Sequence, residues 1–109
     1  MSLVDVAQVS EVPKGSMKSY LVGGIQELIS NVDGKFYAIN NTCTHAGGDL
    51  SKGKLEGKIV TCPKHNSKFD VTTGKCISGP KIGFLKLSAK NETVFEVKIK
   101  ENKIKINIP

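Results

Sequence analysis

Two short segments of this 109-residue chain each hold a cysteine close to a histidine, and both residue types bind metals. The first segment reads Cys43-Thr44-His45, and the second reads Cys62-Pro63-Lys64-His65. Sixteen residues separate His45 from Cys62, and the chain has only these two histidines. Because thiolate and imidazole ligands together select zinc, copper or iron–sulfur centres, the pattern predicts a metal site with two ligands from each segment.

The spacing within each segment distinguishes between these metals. Zinc sites usually pair their ligands as C-x₂₋₄-C and H-x₃₋₅-H, whereas each segment here offers one thiolate and one imidazole. A C-x-H pair is a tight fit around a single tetrahedral ion. If both cysteines bind one iron and both histidines bind a second iron, each segment spans the centre. That division of ligands is described for Rieske centres, and a structural zinc module stays as an alternative.

The residues around the two segments resemble the cluster-binding loops of Rieske ferredoxins. The matching stretches are CTHAGGDLSKG and CPKHNSKFDVTTG, and the resemblance extends from Asn40 to about Leu87. It implies one [2Fe-2S] cluster, with Cys43 and Cys62 on one iron and the imidazoles of His45 and His65 on the other. It also implies that the histidine ring edges reach the surface, where electrons enter and leave. Further counterparts in the family are Asp49-Leu50, Phe69-Asp70, Thr73-Gly74-Lys75 and Gly79-Pro80.

The chain departs from the Rieske proteins of respiratory cytochrome complexes close to the cluster. Those proteins join an extra cysteine in each loop by a disulfide, and the matching residues here are Gly48 and Lys64. They also use a serine and a tyrosine to donate hydrogen bonds to cluster sulfurs, whereas here Ser67 remains and Phe69 replaces the tyrosine. Since hydrogen bonds to sulfur raise the reduction potential, we predict a value in the lower part of the Rieske range, roughly −150 to 0 mV.

Two other residues lie near the cysteine and histidine pattern and are considered separately. Asn66 occupies a position that is often glycine in the family. Cys76 is the third cysteine, lies outside the ligand pattern, and is predicted to be a small packed residue.

The elements that must position these loops are predicted to be β-strands. Apolar residues alternate with charged ones from Phe95 to Ile99 and again from Ile104 to Ile108, which predicts a hairpin with one apolar and one lysine-rich face. The stretches Ile25 to Ser30 and Lys35 to Asn40 flank Asn31-Val32-Asp33-Gly34, a second hairpin signal. Further short strands are predicted at Met17 to Val22, Lys58 to Thr61, Lys68 to Val71 and Phe84 to Leu87.

These strands predict an all-β fold, a small antiparallel sandwich or barrel. The resemblance implies that two loops and a third, Gly79-Pro80 loop form a Rieske cluster-binding subdomain on it. The length fits a single domain over residues 1–109, with the cluster-binding part at about 40–87.

Composition narrows the functional classes. Sixteen basic residues, all lysine, face ten acidic ones, which gives a formal charge of +6. Without arginine and with only 6% aromatic residues, the chain is a poor candidate for nucleic-acid binding.

The sequence also predicts where the protein works. No apolar run approaches the ~20 residues of a membrane span. The N-terminus lacks a signal-peptide pattern, so the predicted compartment is the cytoplasm. A monomer is expected.

The resulting functional hypothesis is a one-electron carrier rather than an enzyme. It would take an electron from a reductase, expected to be a flavoprotein, and deliver it to an oxygenase or another redox enzyme. The lysine excess suggests a partner with an acidic docking face. The alternative is a small electron-transfer subunit of a larger oxidoreductase. The chain cannot itself be the oxygenase, because a mononuclear iron site needs two more histidines.

Overall fold

The computed structural model of the chain describes residues 2–44, 47–64, 66–79, 81–82, 85–86 and 90–108, with only the backbone described at 81–82 and 85–86. Apart from two single-turn 3₁₀ segments, Val9–Glu11 and Leu50–Lys52, the regular structure of these residues is all strand, as predicted. The described residues include no helix that could span a membrane. The strands are β1 (Ser2–Gln8), β2 (Met17–Val22), β3 (Ile25–Val32), β4 (Lys35–Asn40), β5 (Lys54–Glu56), β6 (Ile59–Thr61), β7 (Lys68–Asp70), β8 (Cys76–Ser78), β9 (Lys81–Ile82), β10 (Leu85–Lys86), β11 (Val94–Phe95), β12 (Val97–Lys100) and β13 (Lys103–Ile108).

The strands pair in an antiparallel manner in every sheet of the described residues. Two sheets, ordered β1-β13-β12 and β11-β4-β3-β2, form the base of the molecule. A third sheet, ordered β5-β6-β7-β8, carries the second cysteine loop, and β9 and β10 form a short ribbon. Two-residue turns close both predicted hairpins, and the central residues Asp33, Gly34, Glu101 and Asn102 all have positive φ. Such turns match the twist of the flanking strands and fix their register.

The β3–β4 hairpin is buried on both faces and joins two apolar cores. Leu28 and Ile39 point to one side, where they pack in the loop-side core. Ile29 and Ala38 point to the other side, into the basal core between the two base sheets. Besides these residues, the loop-side core contains Cys43, Leu50, Val60, Cys62, Phe69 and Val71, and the basal core contains Val12, Phe95, Ile104 and Ile106.

The C-terminal hairpin confirms the predicted division of faces. Val97 pairs with Ile106 and Ile99 with Ile104, while the lysines pair with one another on the other face. One detail differs, because Phe95 belongs to β11, which pairs with β4 instead of with β13. Four strands were not predicted, namely β1, β5, β8 and β9. Of the strand expected at Phe84 to Leu87, only Leu85–Lys86 lies within the described residues.

Glu27 is the unusual residue of β3, because its carboxylate is fully buried. Its neighbour two residues along the strand, Ile29, lies in the basal core, so Glu27 shares that face of the sheet. Neither carboxylate oxygen has a hydrogen-bond partner among the described residues. Burial therefore raises the pKa of Glu27 to about 7.

We expect replacement of Glu27 by leucine to stabilise the protein increasingly as the pH rises. In the folded state the carboxyl group keeps its proton up to about pH 7, whereas the unfolded group ionises near its ordinary value of 4.5. Between these values the folded state binds more protons, so the stability of the wild type falls as the pH rises. The advantage of Glu27→Leu in unfolding free energy should grow by about 2 kcal/mol between roughly pH 5 and pH 8.

Thermal unfolding of the two proteins at both pH values measures this change. The matched control is Glu56→Gln, which alters an exposed glutamate of β5. If the stability advantage of Glu27→Leu does not change with pH, Glu27 has the same pKa in the folded and unfolded states. That result would contradict the raised pKa of the buried carboxyl group.

Candidate metal centre

The first cysteine loop follows β4 and closes on itself through its own backbone. The Cys43 amide donates a hydrogen bond of 2.7 Å to the Gly48 carbonyl, and the Gly47 amide donates one of 3.0 Å to the Cys43 carbonyl. Gly47 has a φ of 68°, in the left-handed region that favours glycine. His45 and Ala46 lie inside this loop in sequence but outside the described residues.

The second cysteine loop, between β6 and β7, repeats the same closure. The Cys62 amide donates to the Ser67 carbonyl at 2.8 Å, and the Asn66 amide donates to the Cys62 carbonyl at 3.1 Å. Asn66 stands four residues after its cysteine, as Gly47 does, and has a φ of 61°. Asparagine is one of the few side chains that adopt this conformation readily. Asn66 therefore adopts the same left-handed conformation that Gly47 has in the first loop. His65 lies outside the described residues.

The two loops meet at Gly48. A Cβ atom on Gly48 would lie 2.8 Å from the Cys62 sulfur and 3.4 Å from Lys64 Cγ. A side chain at this position would therefore collide with the second cysteine. The contact also shows that positions 48 and 64, where the respiratory proteins carry their disulfide, face each other across the loops.

The structure brings both predicted cysteine ligands into the loop-side core. Cys43 is 2% exposed and Cys62 is 1% exposed, and they share this core with Phe69. Cys76 is partly buried and packs against the same core, which confirms the prediction that it is a packed residue. Neither Cys43, Cys62 nor Cys76 forms a disulfide. Pro80 of the predicted third loop lies outside the described residues.

Ser67 provides an independent test of the predicted cofactor. The residue is fully buried, and its hydroxyl has no hydrogen-bond partner among the described residues. A buried hydroxyl without an acceptor costs roughly 1–3 kcal/mol, so an acceptor is expected next to it. A cluster sulfur is such an acceptor. Two buried cysteines, the close approach at Gly48 and this unpaired donor fit an iron–sulfur cluster.

Asp49 anchors the base of the first loop. Its side chain accepts hydrogen bonds from the Ser51 hydroxyl, the Asn41 side chain at 2.7 Å and the Ser51 amide at 3.0 Å. These donors hold the pKa of the Asp49 carboxyl below its usual value. Thr42 forms a β-bridge with Asp49, which joins the two ends of the loop. The Asp49-Leu50 pair noted in the sequence therefore closes the loop.

Asp70 has a similar role in the turn after β7. Burial alone would raise the pKa of Asp70, but the Thr72 hydroxyl and amide and the Lys58 ammonium hold it below its usual value. The Gly74 amide donates to the Asp70 carbonyl at 2.7 Å. Gly74 has a φ of 74°, and a Cβ atom there would lie 2.3 Å from the Glu92 carbonyl oxygen. The turn thus requires glycine and packs tightly against residues 90–93.

Residues 90–93 form a strap over the first loop that the sequence did not predict. The Thr44 amide, between Cys43 and His45, donates to the Glu92 carboxylate at 3.0 Å, and the Thr44 hydroxyl donates to the Lys90 carbonyl at 2.6 Å. Glu92 is 5% exposed, and burial raises its pKa to about 7 although the Thr44 amide favours the charged form. The strap therefore fixes the backbone between two predicted ligands.

We expect Asn66→Ala to weaken the second loop, whereas Asn66→Gly should preserve it. Alanine is strained at a φ of 61° by about 1–2 kcal/mol, and glycine is not. The measurements are the midpoint of thermal unfolding and the iron bound per chain, and both should fall for Asn66→Ala and keep their wild-type values for Asn66→Gly. Asn102→Ala is the matched control, because Asn102 has a similar φ of 66° in a hairpin turn away from the loops.

The control should lower the unfolding midpoint and leave the iron content unchanged. Equal iron loss in the two alanine variants would show that general destabilisation, and not the shape of the second loop, governs iron retention.

Comparisons with known proteins agree with this geometry. The model of the Rieske [2Fe-2S] domain family matches residues 2–89. The chain is 31% identical to the ferredoxin component of the naphthalene 1,2-dioxygenase system of Pseudomonas aeruginosa, over 96% of this chain and 94% of that protein. It is 39% identical to the ferredoxin component of the 2,4-dinitrotoluene dioxygenase system of Burkholderia sp. (strain RASC), over 71% of this chain and 74% of that protein.

The fold is also similar to those of ferredoxins with solved structures. A chain from a complex of reduced oxygenase and oxidized ferredoxin in carbazole 1,9a-dioxygenase superimposes with a TM-score of 0.83 at 31% identity, covering 95% of this chain and 100% of that one. A ferredoxin of Sphingomonas yanoikuyae B1 has a TM-score of 0.82 at 26% identity, covering 99% and 100%. The matched family model, the similar ferredoxins and the paired cysteine loops lead to one conclusion: this chain belongs to the Rieske [2Fe-2S] domain family.

Proposed function

We propose that this protein is a Rieske-type ferredoxin that carries one electron at a time from a reductase to an oxygenase. The observation that carries the proposal is the pair of matched loops around two buried cysteines, Cys43 and Cys62. Its relatives are ferredoxin components of dioxygenase systems. A similar ferredoxin chain occurs in a complex with an oxygenase. These relatives serve as carriers beside a separate oxygenase, so the proposal includes no catalytic residue.

The proposed ligands are Cys43 and Cys62 on one iron and His45 and His65 on the other. When bound, the cluster supplies reversible one-electron chemistry within the potential range of Rieske centres. The backbone amide and carbonyl of each cysteine are hydrogen-bonded within its own loop, which orients the thiolates before the metal arrives. The buried Phe69 and Leu50 pack in the same core as Cys43 and Cys62, which keeps water away from the cysteine side chains.

The chain is proposed to work as one free-standing domain with its cluster-binding part at about 40–87. Support comes from the extent of the similarity, since the chain covers 94% of the naphthalene system ferredoxin and 100% of the ferredoxin chain in the carbazole complex. Because the carbazole complex is named for an oxygenase and a ferredoxin as distinct proteins, a free carrier is favoured over a small subunit of a larger enzyme. The cytoplasm is the proposed compartment, because the cysteine thiols that would bind the cluster stay reduced there.

Replacement of any proposed ligand should remove the cluster. We expect His65→Ala, His45→Ala or Cys43→Ala to lower bound iron and sulfide to less than about one fifth of the wild-type content, since each removes a bond to iron. The reddish-brown colour and the rhombic paramagnetic resonance signal of the reduced protein should disappear in parallel. Cys76→Ala is the control, because Cys76 is a packed cysteine outside the ligand set.

A wild-type protein that is colourless and binds one zinc would support the zinc alternative. Retention of the full iron content and an unchanged spectrum in either histidine variant would refute the ligand assignment.

The reduction potential should depend on the buried Ser67 hydroxyl. Reduction adds negative charge to the cluster sulfurs, so a hydroxyl that donates to sulfur stabilises the reduced form. Ser67→Ala should lower the potential by about 50 mV, which corresponds to one hydrogen bond of about 1 kcal/mol. Potentiometric titration followed by paramagnetic resonance measures the shift.

Ser51→Ala is the matched control for this experiment. The Ser51 hydroxyl also lies near a cluster loop, but its hydrogen bond is made to Asp49. The control should leave the potential unchanged. If Ser67→Ala keeps the wild-type potential while retaining its iron, the Ser67 hydroxyl does not contact the cluster.

A further inference from the structure

A groove of about 390 Å³ lies beside the second cysteine loop. Cys62, Pro63 and Asn66 of that loop line one side, so anything bound in the groove lies next to the proposed cluster. Lysines dominate the rest of the lining. The remaining lining residues are Lys52, Lys54, Glu56, Thr61 and Lys68.

Strand register places two of these lysines on one face of the β5-β6-β7 sheet. Lys54 pairs with Thr61, and Thr61 pairs with Lys68, so the three side chains form a row across the strands. The next row on the other face, Leu55-Val60-Phe69, packs toward the loop-side core, so the lysine row faces solvent. Two strand spacings separate the lysine backbones by about 10 Å. Thr61 between them has a short side chain, which leaves room above it for a carboxylate between the two ammonium groups.

The lysines that line the groove do not take part in the salt bridges of the described residues. None of the four salt bridges among the described residues includes Lys52, Lys54 or Lys68. Lys52 is close enough to Asp49 to lower its pKa, but hydrogen bonds already satisfy that carboxylate. Lys54 and Lys68 lie two strands apart with Thr61 between them, and since neither takes part in one of those four ion pairs, their charges stay available to a partner.

The charges also change sign along the same sheet face. Two residues farther from the cysteine loop, the row consists of Glu56, Ile59 and Asp70, and Asp70 is paired with Lys58 at 3.4 Å. The lysines of the groove therefore lie nearest to Cys62, whereas Glu56, the acidic residue of the lining, lies in the row farther away. An acidic partner is attracted to the end where electron transfer would take place.

We propose that this groove is the docking site for a carboxylate-rich surface segment of the protein's redox partner. The inference rests on the proposed function, because it identifies where the carrier meets the protein with which it exchanges electrons. Lysine ammonium groups are compact point charges that suit carboxylates. In this setting they increase the rate of encounter more than they strengthen the complex.

The experiment uses the oxidised holoprotein and an octaglutamate peptide as the probe. Lys54→Gln/Lys68→Gln removes two charges from the groove. Lys98→Gln/Lys100→Gln removes the same number from the exposed face of β12 and is the matched control. At low ionic strength the groove variant should bind the peptide about fivefold more weakly than the wild type, and the control should differ less than about twofold. Amide chemical shifts should change at residues of the groove.

Electron transfer to small oxidants gives a second readout. The reduced groove variant should react several-fold more slowly with the anion Co(EDTA)⁻ than the wild type, and the difference should vanish at high salt. The cationic Co(phenanthroline)₃³⁺ should react no more slowly. Equal effects of the two double variants on peptide binding would overturn the proposal, because net charge and not the groove would then decide binding.

Iron content and reduction potential, measured on every variant, separate this proposal from the proposed function. A wild-type protein without a redox-active cluster would refute the carrier role. A normal cluster combined with unchanged peptide binding in the groove variant would refute the docking site alone.

Discussion

The closure of each cysteine loop by its own backbone is the constraint on which the site depends. In both loops the cysteine amide donates to the carbonyl five residues later, and its carbonyl accepts from the amide four residues later. The residue at the fourth position must then adopt a left-handed conformation, which Gly47 and Asn66 both do. Because the backbone of each loop holds its cysteine in place, binding a cluster loses less affinity to the conformational entropy of these two residues.

The rest of the fold fixes these loops relative to each other. The β3–β4 hairpin belongs to both cores, and Asn41 continues directly from β4 into the base of the first loop. Residues 90–93 lead into β11, which pairs with β4, and they fasten Thr44 from the other side. The first loop is thus held between two segments that depend on the same strand. Such support limits the rearrangement that accompanies a change of charge at the site, which favours fast electron exchange.

The features that could be predicted from the sequence are those formed by residues close together in the chain. Each cysteine lies within three residues of its histidine, and each hairpin has a two-residue turn, so short windows of sequence were sufficient to predict them. The strap was not predictable in this way, because Glu92 meets Thr44 across 48 positions. Strands β5 and β8 have three residues each, too few to show an alternation. The left-handed conformation of Asn66 could have been predicted from the sequence, because Asn66 follows Cys62 by four residues, as Gly47 follows Cys43.

The arrangement of the lysines, more than their number, determines the orientation in which an acidic partner approaches the surface. On the C-terminal hairpin, Lys103 and Lys105 lie near Asp5 of β1, so part of that charge is compensated within the sheet. Lys54 and Lys68 have no such acidic neighbour, although Glu56 is only one row away on the same face. A net charge of +6 spread evenly would attract an acidic protein in any orientation. An uncompensated pair beside Cys62 instead favours the orientation that brings the partner to the cysteine loops, and orientation limits the rate of encounters that use small interfaces.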